Sequence, residues 1–416
     1  MVVLKTLYNI SILLTKATFS GSLFCYFYSM LKRLFSLFVT ILLLANTLKA
    51  QDSVRADDSH LQVSLITCGT GDEIYETFGH TAIRIVDSVA GTDMVYNYGT
   101  FDGYAENFEL QFMQGKLLYY VSCYPYSIFQ QEYAAYHRSV EEQVLHISGA
   151  SKMSIDSYLK NNALEQNKYY KYDFFFDNCA TRIRDVFRYA LGVKFKYGKV
   201  LPEGKKITYR QIINQYFYRT HGERVGVNLL LGSRIDKVMT DLDIMFLPDY
   251  LRDGLAGATL KGKPVAGKAQ LVLDGSPYKP AGFNWVLALT IGLLILTAIG
   301  LFVPNMQVLG RVMSGFMLFI TGLLGVLMLV MWLATDHQGC QNNYNILWAL
   351  PTNVFIAFAV KRNKNRYAIV GIALIFVSLL VHILGIQEQA LLEMSPVLLS
   401  LILIYLHIIR INRAKA

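Results

Sequence analysis

The run Tyr172-Asp173-Phe174-Phe175-Phe176-Asp177-Asn178-Cys179-Ala180-Thr181-Arg182-Ile183-Arg184-Asp185 contains the change of period that decides how the chain is read. The aromatics up to Phe176 read as a strand over residues 170–176. Beyond it Ile183, Val186, Phe187, Ala190 and Leu191 recur at helical spacing. Cys179 therefore stands in the first turn of a helix. There the unpaired N–H groups and the positive end of the macrodipole favour a thiolate, and a lowered pKa makes a thiol nucleophilic at neutral pH. A buried structural cysteine is the plainer alternative, and what separates the two is whether a base accompanies it.

A cysteine nucleophile takes its base from His, held by a third polar group. Of the eight histidines, His80 begins an alternating strand in Tyr75-Glu76-Thr77-Phe78-Gly79-His80-Thr81-Ala82-Ile83-Arg84-Ile85, after a glycine that permits close approach. The next strand and turn, Tyr96-Asn97-Tyr98-Gly99-Thr100-Phe101-Asp102, offer two orienters for its ring. Asn97 would do so as a neutral amide and Asp102 with charge. Taken singly, His80 reads equally as a hydrogen-bonded core residue, and Asn97 or Asp102 as turn stabilisers.

The chain has 416 residues, 53% of them hydrophobic, and a formal charge of +9. Nucleic acid is not indicated, because many Lys and Arg residues flank apolar segments, where they orient a membrane protein. Met30-Leu31-Lys32-Arg33, the apolar run 34–45 and Thr47-Leu48-Lys49-Ala50 read as a signal peptide over residues 30–50, with 1–29 an upstream extension. An uncleaved N-terminal anchor is the alternative. Residues 284–410 hold five apolar segments, at 285–303, 312–334, 343–360 (with Pro351), 367–386 and 391–409 (with Pro396). Arg311, the basic run 361–366 and Arg410, Arg413 and Lys415 then share one side, with residues 411–416 a cytoplasmic tail and residues 51–283 outside the cytoplasm.

Within 51–283, strands are expected at 61–67, 81–86, 94–98, 143–147 and 270–273, and helices at 155–164, 208–216 and 235–245. Pro248 marks a turn, and the Gly-, Ala- and Lys-rich stretch 254–275 reads as a surface approach to the membrane. Cys68 and Cys123 could pair, since the compartment is oxidising.

The order of His on a strand, a polar residue on the next strand, then Asn-Cys at a helix start resembles the permuted papain-like fold of lecithin retinol acyltransferase and of relatives of NlpC-type cell-wall peptidases. The blocks Tyr75 to Arg84, Tyr96 to Asp102 and Asp177 to Arg182 further resemble the Lnb family, the lipoprotein N-acyltransferases of Bacteroides-type bacteria. Asp336-His337 followed by Asn343-Tyr344-Asn345-Ile346-Leu347-Trp348 and Pro351 resembles that family's loop into its third span. Thr77, where a basic or larger polar residue is expected, and Gly103-Tyr104-Ala105 depart from the pattern.

The resemblance implies an α+β extracytoplasmic domain of permuted papain-like type followed by an all-α bundle of five transmembrane helices. It implies a cofactor-free acyltransferase in the inner membrane that moves an acyl chain from a membrane phospholipid, through a Cys179 thioester, to the α-amino group of a diacylated lipoprotein. His80 would be the base and Asn97 or Asp102 its orienter. The oxyanion would be held by the Cys179 N–H and a neighbouring donor, with Asn178 beside it, and substrate would be met by Arg84, Arg182, Tyr98 and His337. Two rivals remain: a membrane-anchored NlpC-like cysteine hydrolase cutting cell-wall peptides, and a non-enzymatic membrane receptor.

Overall fold

The computed structural model describes Lys32 and residues 59–276, 282–358 and 364–413. Apart from Lys32, the expected extension and signal segment lie outside the described residues, as do the first half of the 361–366 basic run and the tail beyond 413. Two compact units divide the chain, Met1–Asp58 and Ser59–Ala416, and everything below belongs to the second.

In chain order the extracytoplasmic part runs β1 (Leu61–Cys68), β2 (His80–Asp87), β3 (Thr92–Phe101), α1 (Phe108–Met113), β4 (Leu118–Pro125), α2 (Tyr126–Ala135) and β5 (Val140–Val144). It continues with α3 (Gly149–Asn162), β6 (Tyr169–Lys171), α4 (Cys179–Leu191), α5 (Tyr209–Tyr216), α6 (His221–Leu230), α7 (Asp241–Ile244), α8 (Pro248–Ala256) and β7 (Gln270–Leu273). The strands form one antiparallel sheet in the order β7-β5-β1-β2-β3-β4-β6. Strand alternation divides the side chains between its faces. Val63, Leu65, Ile83, Ile85, Tyr96 and Tyr98 pack with α3, α4 and α8. Ile66, Cys68, Ala82 and Val95 lie beneath α2.

Several expectations need correction. The strand expected over 170–176 stops at Lys171, because the Asp173 carboxylate accepts the N–H groups of Phe175 and Phe176 and folds the aromatics into a turn. The helix expected over 235–245 is a short 3-10 turn, Ser233–Asp236, and a separate α7 capped by Thr240. Pro248 opens α8 at its first position, where a missing N–H costs nothing. The stretch 254–275 holds the end of α8, a small second sheet and the edge strand β7, and its Ala258, Val265 and Ala266 are buried. Cys68 on β1 and Cys123 on β4 are unpaired. Three strand spacings separate β1 from β4, about 14 Å, and a disulfide needs Cα atoms within about 7 Å.

The membrane part runs α9 (Trp285–Phe302), α10 (Gln307–Leu333), α11 (Asn353–Phe358), α12 (Lys364–Ile383) and α13 (Leu391–Arg413). Among the described residues four of these, α9, α10, α12 and α13, are long and apolar enough to cross a membrane. Within the expected span at 343–360 the described residues, which reach 358, form a 3-10 turn, Tyr344–Leu347, then Pro351 and α11. Backbone freed by such a break must be satisfied inside the protein. Here Tyr344 N donates to Gln387 Oε1 at 2.7 Å and Asn345 N to Asn343 Oδ1 at 3.0 Å, while the fully buried Asn353 side chain accepts the hydroxyls of Tyr367 at 2.7 Å and Tyr405 at 2.8 Å. Arg311 and Arg410 lie at the ends of α10 and α13 remote from the extracytoplasmic part, as the charge pattern predicts.

The two parts meet through α6, which the sequence reading misses. Val225 joins the apolar core of the membrane bundle. Arg224 pairs with the buried Glu393 at the start of α13, which also accepts from Asn284 at 2.9 Å. Asn343 donates to the carbonyls of Leu229 and Leu230 at 2.7 and 3.1 Å, and Asn345 to that of Asn228. Behind them Arg210, 0% exposed, donates to Asp236, to Asn228 and to the carbonyls of Leu231 and Gly232. Asn343 and Asn345 both belong to the Asn343-Tyr344-Asn345 motif, and Gln387 of the α12–α13 loop adds a hydrogen bond to the Leu231 carbonyl at 3.4 Å, so the motif helps to join the two parts.

Candidate active site

Gly79 sets the start of β2. Its φ is +73°, and a Cβ there would stand 2.6 Å from the Cys68 carbonyl oxygen, so only glycine admits this approach. His80 follows directly, opposite Cys68 in the ladder. Its Nε2 lies 2.6 Å from Asn97 Oδ1, and Asn97 Nδ2 donates to the Tyr124 hydroxyl at 3.1 Å. A carbonyl oxygen only accepts, so the ring proton sits on Nε2 and Nδ1 is left as a basic lone pair.

Cys179 is brought to the same place from the other side. A Cβ on Gly99, whose φ is +94°, would lie 3.8 Å from both Cys179 Cβ and His80 Cε1. Nearly a hundred residues apart in sequence, the two side chains face one gap, kept open by that glycine. Asn178 is the N-cap of α4: its Oδ1 accepts from Thr181 N while the Thr181 hydroxyl accepts from Asn178 N. Its Nδ2 donates to the carbonyls of Phe174 at 2.9 Å and Phe246 at 2.8 Å. Both amide donors are used, so Asn178 fixes the helix start and has none left for an oxyanion. N–H groups of Thr81, Ala180 and Cys179 itself surround the sulfur instead.

Electrostatics correct the expectation of a resting thiolate. Burial pushes the Cys179 thiol up to about 11, although those three N–H groups pull the other way. Burial also pushes His80 down to about 4, opposed by its hydrogen bond to Asn97. Desolvation thus outweighs the helix terminus, and the resting pair is thiol and neutral imidazole.

The other expected site residues divide. Asp102 is exposed and accepts from Tyr104 N at 2.9 Å, closing a turn, so of the two expected orienters it is Asn97 that bonds the His80 ring. Arg84 points beneath α2, where it grips Asp93 through two hydrogen bonds, meets Glu142 at 2.9 Å and covers the Tyr126 ring; it is a structural ion pair, not a substrate contact. His337 bonds the carbonyls of Phe112 and Met113 at 3.2 and 3.1 Å, and Asp336 N donates to Gln114 O. These hold α1 against the end of α10 rather than meeting Cys179.

Arg182 and Tyr98 do reach a cavity. A cleft of about 830 Å³ runs along the face of α4 that carries Arg182, Val186 and Tyr189, three, seven and ten residues beyond Cys179. Tyr98, Tyr172, Asp336 and Gln341 line it as well. Arg182 is paired there with Asp177 and lies 4.0 Å above the Tyr170 ring, and the buried Tyr98 hydroxyl has no hydrogen-bond partner among the described residues. Among the described residues no group of three or more His, Cys, Asp or Glu side chains is placed to hold a metal.

A family model for the Lnb N-terminal periplasmic domain matches residues 49–215, and one for the Lnb transmembrane domain matches 274–415. The chain belongs to the Lnb family. No curated protein and no solved structure matches it significantly. As an Lnb-family member it is a lipoprotein-modifying membrane protein, an enzyme of lipoprotein processing, whose sheet-and-helix N-terminal domain is periplasmic and whose C-terminal region is helical and membrane-embedded.

Proposed function

We propose that this Lnb-family protein is an apolipoprotein N-acyltransferase of the inner membrane, with Cys179 as acyl carrier and His80 as base. The observation that carries the reading is the convergence of Asn97, His80 and Cys179 on one gap at Gly99. The thiol sulfur attacks the ester carbonyl of a phospholipid while His80 Nδ1 takes its proton. Because the resting pair is neutral, transfer must accompany attack, which is general-base catalysis rather than attack by a preformed thiolate. The tetrahedral oxyanion faces backbone N–H groups around the sulfur. Its collapse breaks the ester C–O bond, His80 returns the proton to the departing lysophospholipid oxygen, and a thioester remains on Cys179.

In the second half, the α-amino group of a diacylglyceryl-cysteine attacks that thioester. His80 accepts the amine's proton, the S–C bond breaks, and the thiol is restored. Arg182 and Tyr98 line the cleft where a headgroup would pass, so their contact with substrate is part of the proposal. Lipid substrates also account for the architecture. Withdrawing a chain from the bilayer costs roughly 0.8 kcal/mol per CH₂, so the cysteine must come to the membrane. A hydrolase needing only an anchor would have no use for the interlock around α6.

The test is mass spectrometry of lipoprotein N-termini from cells whose sole copy carries Cys179→Ala. Loss of triacylated N-termini is expected, together with a hydroxylamine-labile acyl adduct on wild-type Cys179. Unchanged triacylation would sink the reading.

A further inference from the structure

Phe101 leaves the end of β3 two residues beyond Gly99, and the segment that follows, through α1 to Leu118, is unusually apolar for a surface insertion. Phe112 and Met113 are 52% and 58% exposed, and Leu110 and Tyr104 are exposed as well. This is not an orphan patch, because its C-terminal end is fixed to the membrane part. His337 bonds the Phe112 and Met113 carbonyls, Asp336 N donates to Gln114 O, and both follow closely on the end of the spanning helix α10. Leu333, at that helix end, is itself exposed, so the apolar surface of α1 continues the lipid-facing surface of the bundle.

From α1 a line of rings runs inward. Phe112 and Phe108 stack at 6.1 Å, Phe108 and Phe101 at 5.6 Å, Phe101 meets Tyr119 edge-on at 5.3 Å, and Tyr119 stacks on Tyr172 at 4.4 Å. Tyr119 and Tyr172 pack against the core cluster that contains Cys179, and Tyr172 lines the cleft along α4. Aromatic faces at this spacing give a hydrocarbon chain continuous apolar contact, which water or a polar loop would not.

We propose that α1 dips into the outer leaflet and that the strip Phe112, Phe108, Phe101, Tyr119 and Tyr172 is the track along which an acyl chain leaves the bilayer for Cys179. The track rests on the acyl-transfer reading, whereas the membrane contact of α1 does not. Amphipathic segments with exposed Phe, Leu and Met at a membrane boundary bind by burying that face among acyl chains.

Two measurements test it in the full chain, in nanodiscs of phosphatidylethanolamine and phosphatidylglycerol, with Cys25→Ser and Cys123→Ser in both and Cys179→Ser added for the spin label alone, so that no reactive thiol competes with the labelled position. A nitroxide at Met113→Cys, or at Leu110→Cys should the first fold poorly, is expected to be relaxed more by oxygen than by a nickel complex. Val89→Cys, in the exposed β2–β3 turn at the other end of the strands, is expected to show the reverse. Equal access to nickel at 113, or shielding from both agents as under a protein partner, overturns the membrane contact. The second measurement is acylation of Cys179 in Phe108→Ser, by bilayer phospholipid and by a soluble butyryl ester. We expect a loss of about tenfold or more with the phospholipid and less than about twofold with the short ester. Equal loss with both donors overturns the track but leaves Cys179 as acyl carrier, whereas absence of any acyl adduct on the parent protein overturns both.

Discussion

The catalytic gap and the seam around α6 are both desolvated, yet they handle charge in opposite ways. At the gap the ionisable groups are kept neutral: burial holds the Cys179 thiol protonated and the His80 imidazole unprotonated, and Asn97 orients the ring without charge. At the seam full charges are taken from water, Arg210 with Asp236 and the buried Glu393 with a half-buried Arg224, each pair tied by further hydrogen bonds. A neutral pair can pass a proton without losing solvation first, whereas a paired charge resists any displacement of its partner. One region is arranged to change state and the other to keep it.

The largest expected effect lies at the seam. Arg210→Met removes the cation from Asp236 and from four backbone or amide acceptors, the Asn228 O and Oδ1 and the Leu231 and Gly232 carbonyls, and should cost about 3–5 kcal/mol, read as a lowered melting temperature in detergent. A melting temperature within about a degree of the parent would mean the seam does not depend on its charges. Next comes Asn97→Ala, which should slow lysophospholipid release about a hundredfold while leaving the melting temperature little changed. Asn97→Asp sharpens the comparison by adding the charge the site lacks. A carboxylate beside His80 raises its pKa, so an acid limb absent from the parent between pH 5 and 8 should appear in the variant's release rate.

A third test uses the thiol alone. With Cys179 pushed up to about 11, iodoacetamide labelling should rise about tenfold per pH unit through 7–9. A plateau near pH 7 would show a preformed thiolate and erase the contrast with the seam. The smallest effect belongs to Asp102→Ala, an exposed turn residue, whose stability and release rate should both stay within about 0.5 kcal/mol of the parent.

What could be read in advance follows from which interactions are local. The period change at Cys179, the alternation after His80 and the polar Asn97 on the next strand are features of short windows, and the structure assembles those three residues. The role of Asn178 was also legible in principle, since Asn178 and Thr181 have the spacing of a capping box. Arg84 was not, because its partners Asp93 and Glu142 lie on other strands. Nor was the part played by Asn343, whose acceptors are over a hundred residues upstream. The helix terminus at Cys179 suggested a thiolate, and only the packed fold shows that desolvation outweighs it.

The placing of α6 bears on whether the two parts can be separated. It falls in the interval between the two stretches that the family models recognise, after residue 215 and before residue 274. A gene for the periplasmic part alone would end with Val225 and Arg224 deprived of Val286 and Glu393, an apolar and charged surface fit only for a partner it had lost. The two modules are therefore not exchangeable parts joined by a tether. Cutting the chain between them would leave α6 without part of the surface it packs on.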